Sequence, residues 1–210
     1  NAVLTLAAPS AANSLGANKA IIIDTTAPTV TGVSSTTADG SYTTGSTIAV
    51  TVQFNKSVNV AVGTPRILLE TGTTDRYATY TNGTGTNTLT FSYTVVADDA
   101  SADLDYTTTT SLELNGSTIK DAATNNAVLA LPTPGTAGSL GANKNILIDA
   151  TAPVISSVAP VSNSIVNAGF SANYTLSEPA ASGSITFTRT GGSADANSHI
   201  YNLVSGDETS

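Results

Sequence analysis

The sequence contains no cysteine, methionine or tryptophan, and charged residues make up only 10% of its 210 positions. The lack of cysteine excludes a disulfide-stapled small domain, a thiol enzyme and a zinc–cysteine site. Seven lysines and arginines are too few for the positive stripe that neutralises nucleic-acid phosphates. No apolar run approaches the ~20 residues that cross a bilayer. We therefore expect neither a nucleic-acid partner nor a membrane span in this chain.

Threonine and serine dominate what is present, with 36 Thr and 24 Ser against a net charge of −8. Apolar residues alternate with these hydroxyl residues over 46–54 and 88–96, which is the pattern of half-buried strands. Shorter strands are predicted at 30–34, 58–62, 66–70, 76–81, 111–114, 127–131 and 145–149. No stretch has a sustained helical period. The sequence therefore predicts an all-β fold.

An internal repeat predicts the domain organisation. Residues 1–30 and 126–155 align without a gap, and 19 of the 30 positions are identical. An offset of one small domain indicates a tandem array. We expect 1–24 to be the C-terminal strands of a preceding repeat, 25–149 a complete repeat and 150–210 the start of a divergent module. Seven to nine short strands per repeat predict Ig-like β-sandwiches. The joints, Asp24 to Pro28 and Asp149 to Pro153, form short Asp-x-Thr-Ala-Pro linkers that proline stiffens.

Several short motifs point to a family. Between residues 42 and 153 they are GTPRILL at 63–69, ATY at 78–80, GTNTLTF at 85–91, DLDY at 103–106, LNGSTI at 114–119, Asp121 with Asn126-Ala127, and Asp149 with Ala152-Pro153. As a set they resemble the Ig-like repeats of very large bacterial extracellular proteins, including adhesins. The run YTLSEP at 174–179 is similar to the Ser-Glu-Pro turn of other bacterial Ig-like modules. The resemblance implies a secreted or cell-surface protein, long arrays of repeats, and Ca²⁺ near the domain joints.

The acidic residues suggest a calcium site, because Ca²⁺ prefers six to eight oxygen ligands. The candidate ligands are Asp149, Glu178, Asp105, Asp103, Asp99, Asp121 and Asp24. In the middle repeat the counterpart of Glu178 is predicted to be Asn55, followed by Lys56, which favours a site at Asp149 over one at Asp24. The alternative is that these are solvated loop acids, with Asx-turn and capping roles for Asp24, Asp121 and Asp149.

Catalytic motifs are missing from the sequence. His199 is the only histidine, and there is no nucleophile elbow, H-E-x-x-H or P-loop. We predict a non-enzymatic structural segment: a stiff extender in adhesion, or the body of an extracellular fibre, whose partners are neighbouring repeats and, in a fibre, other copies. The alternative is a module that binds a glycan or a host surface through Tyr77, Tyr80 and Tyr93.

Overall fold

Strands form in this chain where apolar residues alternate with threonine and serine, because such residues pack on one face of a pleated sheet and stay hydrated on the other. The computed structural model describes residues 1–2, 4–161, 164, 171–178, 183–187 and 199–203. The chain divides into two compact units, residues 1–150 and 151–210, and each is described by itself. Pro179, the last residue of the 174–179 motif, lies outside the described residues.

The first unit contains ten strands and two single-turn helices in its described part. In chain order they are α1 (Leu15–Asn18), β1 (Val30–Ser35), β2 (Gly40–Tyr42), β3 (Thr47–Ala61), β4 (Arg66–Leu69), β5 (Arg76–Asn82), β6 (Thr86–Thr94), β7 (Ala100–Ser101), β8 (Leu112–Glu113), β9 (Thr118–Lys120), α2 (Leu140–Asn143) and β10 (Ile146–Asp149). The described part of the second unit has two antiparallel hairpins. They pair β11 (Ile155–Ala159) with β12 (Asn173–Leu176), and β13 (Gly183–Phe187) with β14 (His199–Leu203). The all-β prediction is confirmed.

Two sheets build the first unit. The larger has the order β1, β3, β6, β5, β4, β8, and β9 pairs with the far end of β3. The smaller has the order β2, β10, β7, with β10 parallel to β2 and antiparallel to β7. Its central strand is therefore the last strand of the repeat. In the described part of the chain, no helix is long and apolar enough to cross a membrane.

One hydrophobic core draws on both sheets. The alternating inward residues of the two longest strands are all buried: Ile48, Val50, Val52 and Phe54 on β3, and Leu89, Phe91 and Tyr93 on β6. Ile146 and Ile148 of β10 join the same core. The alternation predicted at 46–54 and 88–96 is therefore confirmed.

Other strand predictions differ from the structure. Strands β2, β7 and β9 were not expected, because two or three residues are too few to show an alternation. The strand expected at 127–131 is wrong, since this run changes its hydrogen-bond partner at each step. Ala127 donates to Ile119, Val128 to Pro28 and Leu131 to Thr109. The run at 58–62 belongs to the end of β3 and is not a separate strand.

The repeated segment takes two different environments. We call residues 25–125 the repeat body, residues 126–149 the closing segment and residues 1–24 the N-terminal copy. The closing segment covers a groove formed by β1, β2 and β7, where the Gly138 carbonyl accepts from Val33 N–H at 2.8 Å and the Asn145 carbonyl from Gly40 N–H at 3.0 Å. In the N-terminal copy, residues 21–23 form no strand, although their sequence predicted one. A strand needs partners on its edges, and β2 and β7 are already paired with β10.

Candidate functional site

Lys56 lies at an irregular point of β3, where the pairing with β6 shifts register between Gln53 and Val58. Such irregularities re-aim side chains out of the regular pleat. The preceding residue, Asn55, is held against the start of the repeat body. Its N–H donates to the Thr29 carbonyl at 3.0 Å, and its Oδ1 accepts from Thr29 N–H at 3.0 Å. This arrangement brings Lys56 to the joint at Asp24.

The Lys56 ammonium is surrounded by oxygen atoms of three residues, which belong to two separate segments of the chain. Its Nζ lies 2.8 Å from Asp24 Oδ2 and 3.0 Å from Asp121 Oδ2, and it also donates to the Thr26 carbonyl. The Asn125 side-chain amide donates to the Asp24 carbonyl and to Asp121 Oδ2, both at 3.0 Å. We call Asp24, Thr26, Lys56, Asp121 and Asn125 the Lys56 cluster. It joins the end of the N-terminal copy to the repeat body.

Local turns pre-position the two carboxylates of the cluster. Asp24 Oδ1 accepts from Thr26 N–H at 3.0 Å, which is an Asx turn, and Asp121 Oδ1 accepts from Asn125 N–H at 2.9 Å. The hydrogen bond from Asn125 and that from Lys56 lower the pKa of Asp121 to about 2, against its burial. The hydrogen bond from Lys56 also lowers the pKa of Asp24, and the two carboxylates raise the pKa of Lys56.

Acid should weaken this joint. Asp24 and Asp121 have lower pKa values in the folded chain than the ~3.9 of an unfolded aspartate, so the unfolded chain takes up protons first as the pH falls. We expect the free energy of unfolding to be nearly constant from about pH 7 to 5 and to fall from about pH 4 toward 2. Urea unfolding at pH 7, 5, 4 and 3 measures the decline. It should be shallower in Lys56→Gln, and equal declines in both proteins would contradict the assignment.

The second unit shows which residue corresponds to Lys56. Val30 pairs with Phe54, and Ile155, its counterpart in the repeat, pairs with Leu176. Counting two residues onward, Lys56 matches Glu178, and Asn55 matches Ser177. Ser177 makes the bonds that Asn55 makes, since its N–H donates to the Val154 carbonyl and its Oγ accepts from Val154 N–H. The expected correspondence of Asn55 with Glu178 is therefore wrong by one residue, and the two modules carry opposite charges at this position.

Asp99, another predicted ligand, lies in a separate buried cluster. Its carboxylate is 1% exposed and accepts from the Tyr93 hydroxyl at 2.7 Å, from Val96 N–H at 3.0 Å and from Arg76 Nε at 2.8 Å. Burial alone would raise the pKa of Asp99, but these three hydrogen bonds lower it below its usual value. The Asp99 backbone also bonds with Ala150. Asp99 thus ties the loop after β6 to Ala150, the residue that directly follows the closing segment.

The remaining predicted ligands lie elsewhere in the chain. Asp103 and Asp105 come together over α2, where their Oδ2 atoms lie 3.4 and 3.2 Å from the position of a Cβ on Gly141. Asp105 Oδ2 also accepts from Gly135 N–H at 2.9 Å. Asp149 is exposed at the end of β10, and Glu178 belongs to the second unit. The structure thus brings together Asp24 with Asp121, and Asp103 with Asp105.

The three tyrosines of the alternative function do not share one exposed face. Tyr93 is buried with its hydroxyl on Asp99, and the Tyr80 ring packs edge-on against Phe91, with centroids 5.9 Å apart. The Arg66 guanidinium lies over the Tyr77 ring, with its Cζ 3.8 Å from the centroid of that ring. Packing, hydrogen bonds and a cation–π contact therefore account for the three rings.

These clusters hold separate chain segments together through ion pairs and hydrogen bonds. Among the residues that the structure describes, no three acidic or histidine side chains converge as a metal-binding group. Lysine was not expected at the joint, although Lys56 stands directly beside the residue singled out in the sequence. No protein-family model matches this chain, and no curated protein or solved structure matches it either.

Proposed function

We propose that the chain is a non-enzymatic structural segment of a secreted or cell-surface protein, built from tandem Ig-like β-sandwich repeats. It acts as a stiff extender in adhesion or as the body of an extracellular fibre, with neighbouring repeats as its partners. The proposal is supported most by the Lys56 cluster. Asp24 is the counterpart of Asp149, the last residue of the closing segment, whereas Lys56, Asp121 and Asn125 belong to the repeat body.

The cluster restricts motion at the joint because it holds both the backbone and the side chain of Asp24. The Asn125 amide binds the Asp24 carbonyl, and the ammonium binds its carboxylate. A few residues further on, the Pro28 carbonyl accepts from Val128 N–H at 2.8 Å. The proline ring itself fixes φ. A joint held at each of these points transmits orientation from one repeat to the next, which is what a stiff extender requires.

Replacing Lys56 by glutamine should loosen the joint, since it removes the cation shared by Asp24 and Asp121. Backbone ¹⁵N relaxation reports on this directly. In the wild-type chain we expect order parameters of ~0.85 for residues 24–26, equal to those of the strands, and values below ~0.6 in Lys56→Gln. The melting temperature should also fall by several degrees in the variant, because the buried Asp121 carboxylate loses its counter-ion.

The matched control is Lys19→Gln, which makes the same change of charge at an exposed lysine of the N-terminal copy. It should leave residues 24–26 ordered. High mobility of residues 24–26 in the wild-type chain would contradict the extender proposal. Calcium binding by the acids named above stays a prediction within this proposal, and the same spectra recorded with chelator and with millimolar Ca²⁺ show which residues respond.

A further inference from the structure

The N-terminal copy exposes a set of large apolar side chains. Six of them are between 62% and 91% exposed: Leu4, Leu6, Leu15, Ile21, Ile22 and Ile23. Exposed apolar side chains concentrated in one segment indicate a surface that binds a partner. The same chain shows what covers such a segment, because the closing segment is its duplicate.

Every buried side chain of the closing segment has an identical counterpart in the N-terminal copy. The pairs are Leu131 and Leu6, Ser139 and Ser14, Leu140 and Leu15, Ile146 and Ile21, and Ile148 and Ile23. In the closing segment these five residues are at most 4% exposed, and four of them belong to the hydrophobic core. The copies differ at eight of 24 positions, and none of the eight is buried in the closing segment. The N-terminal copy thus carries the full set of groove-filling side chains.

The N-terminal copy also holds the local conformation of the closing segment. In both, a serine caps a helical turn of sequence LGAN, with Ser14 accepting from Ala17 N–H and Ser139 from Ala142 N–H, each at 3.2 Å. The turn before the helix has positive φ at corresponding positions, 66° at Ser10 and 73° at Gly135. The segment is therefore pre-shaped for the groove, and docking requires little reordering.

Two of the positions at which the copies differ change together, and the change leaves the backbone path the same. A Cβ on Gly138 would lie 3.3 Å from the Pro132 ring, which leaves little room for a larger residue. In the N-terminal copy asparagine stands at the glycine position, as Asn13, and the smaller Ala7 stands at the proline position. Asn13 has φ of 71°, close to the 91° of Gly138, so the backbone path is the same.

Polar side chains of the N-terminal copy are matched to those that bind the groove in the closing segment. Asn143 of the closing segment donates from Nδ2 to the Val33 carbonyl at 2.7 Å. Its counterpart Asn18 turns back instead to the Ser14 carbonyl of its own turn. Lys144 of the closing segment pairs with Asp39 of the groove at 2.9 Å. The N-terminal copy has the same residue, Lys19, at the corresponding position.

We propose that the N-terminal copy docks in the groove of a second repeat body, of the same construction as residues 25–125. In the tandem order of the proposed function this body stands ahead of the copy, just as residues 25–125 stand ahead of the closing segment. Residues 21–23 then form the central strand of a three-stranded sheet, parallel to the partner's counterpart of Gly40–Tyr42. This inference rests on the proposed tandem function and names the surface through which successive repeats are built.

The test adds a second copy of residues 25–125 ahead of residue 1 of the full chain. We expect amide exchange at Ile21, Ile22 and Ile23 to slow by about 100-fold or more relative to the wild-type chain, because these residues gain two strand partners. Hydrogen-exchange mass spectrometry reads this from a peptide covering 15–24, whose sequence stays unique in the fusion. In a negative control, Leu15→Asp with Ile21→Asp in the same fusion, the protection at Ile22 and Ile23 should be lost.

A positive control replaces residues 1–24 of the fusion with the sequence of 126–149. Protection in this control without protection in the test fusion would overturn the inference, since the groove would then accept only its own segment. If neither fusion slowed amide exchange in this segment, the inference would also be overturned. A repeat body would then bind no segment placed directly after it. The proposed function is tested by a different measurement, the ¹⁵N relaxation of residues 24–26 in the wild-type chain, so the two failures can be told apart.

Discussion

Replacing Leu140 by alanine is expected to lower the free energy of unfolding of the first unit by about 2–5 kcal/mol, whereas the same change at Leu15 should alter it by less than about 0.5 kcal/mol. Both leucines begin an LGAN turn capped by serine. Leu140 is fully buried in the core, and Leu15 is 69% exposed. Removing buried methyl groups costs transfer free energy and leaves a cavity, while exposed ones contribute little.

The pair isolates burial from local sequence, since alanine and leucine have similar helix propensity and the two turns are the same. Urea unfolding followed by near-ultraviolet circular dichroism measures the difference. The signal comes from tyrosines such as Tyr93 and Tyr106, which are buried in the core of this tryptophan-free chain. Equal losses in the two variants would mean that Leu15 is packed in solution, and that the N-terminal copy already has a partner.

The second large effect is expected at Asp99. Asp99→Ala should cost about 1–3 kcal/mol, the usual effect of leaving a buried hydrogen-bond donor without its acceptor. The change leaves the Tyr93 hydroxyl, the Val96 N–H and the Arg76 guanidinium without their acceptor. Tyr93 is 1% exposed, so its hydroxyl cannot turn to water. Thermal or urea unfolding of the variant gives the loss directly.

Two further variants sharpen the Asp99 result. Asp75→Ala removes the same charge from an exposed position and should change the stability by less than about 0.5 kcal/mol. Tyr93→Phe removes one donor only and should cost about 1 kcal/mol. If Asp99→Ala proved as mild as Asp75→Ala, the three hydrogen bonds would not be the reason for its burial.

Long strands were predictable from the sequence because their signal is local. Alternation over nine residues identifies the inner faces of β3 and β6 without knowledge of any partner. Strands β2 and β7 exist only because β10 lies between them, so no local pattern marks them. The run at 127–131 shows the converse, since its apolar alternation is real but its hydrogen bonds go to separate segments.

The candidate site was predictable in part, for a similar reason. The duplicated joint drew attention to Asp24 and Asp149, and the loop acids Asp121 and Asp99 were named. The sequence could not show that Lys56 lies between Asp24 and Asp121, which stand 32 and 65 residues away from it. That contact depends on the register shift in β3, which only the pairing with β6 reveals.

The central place of β10 in the smaller sheet has a consequence for the order of folding. Residues 40–42 are made early, but their strand partner is made last, so the sheet must wait until residue 149 is available. Contacts so far apart in the chain slow folding. During this wait a nascent repeat body holds an open groove, while near-identical segments lie on both sides of it. Insertion of the wrong segment would swap elements between repeats, a misassembly typical of repeated domains.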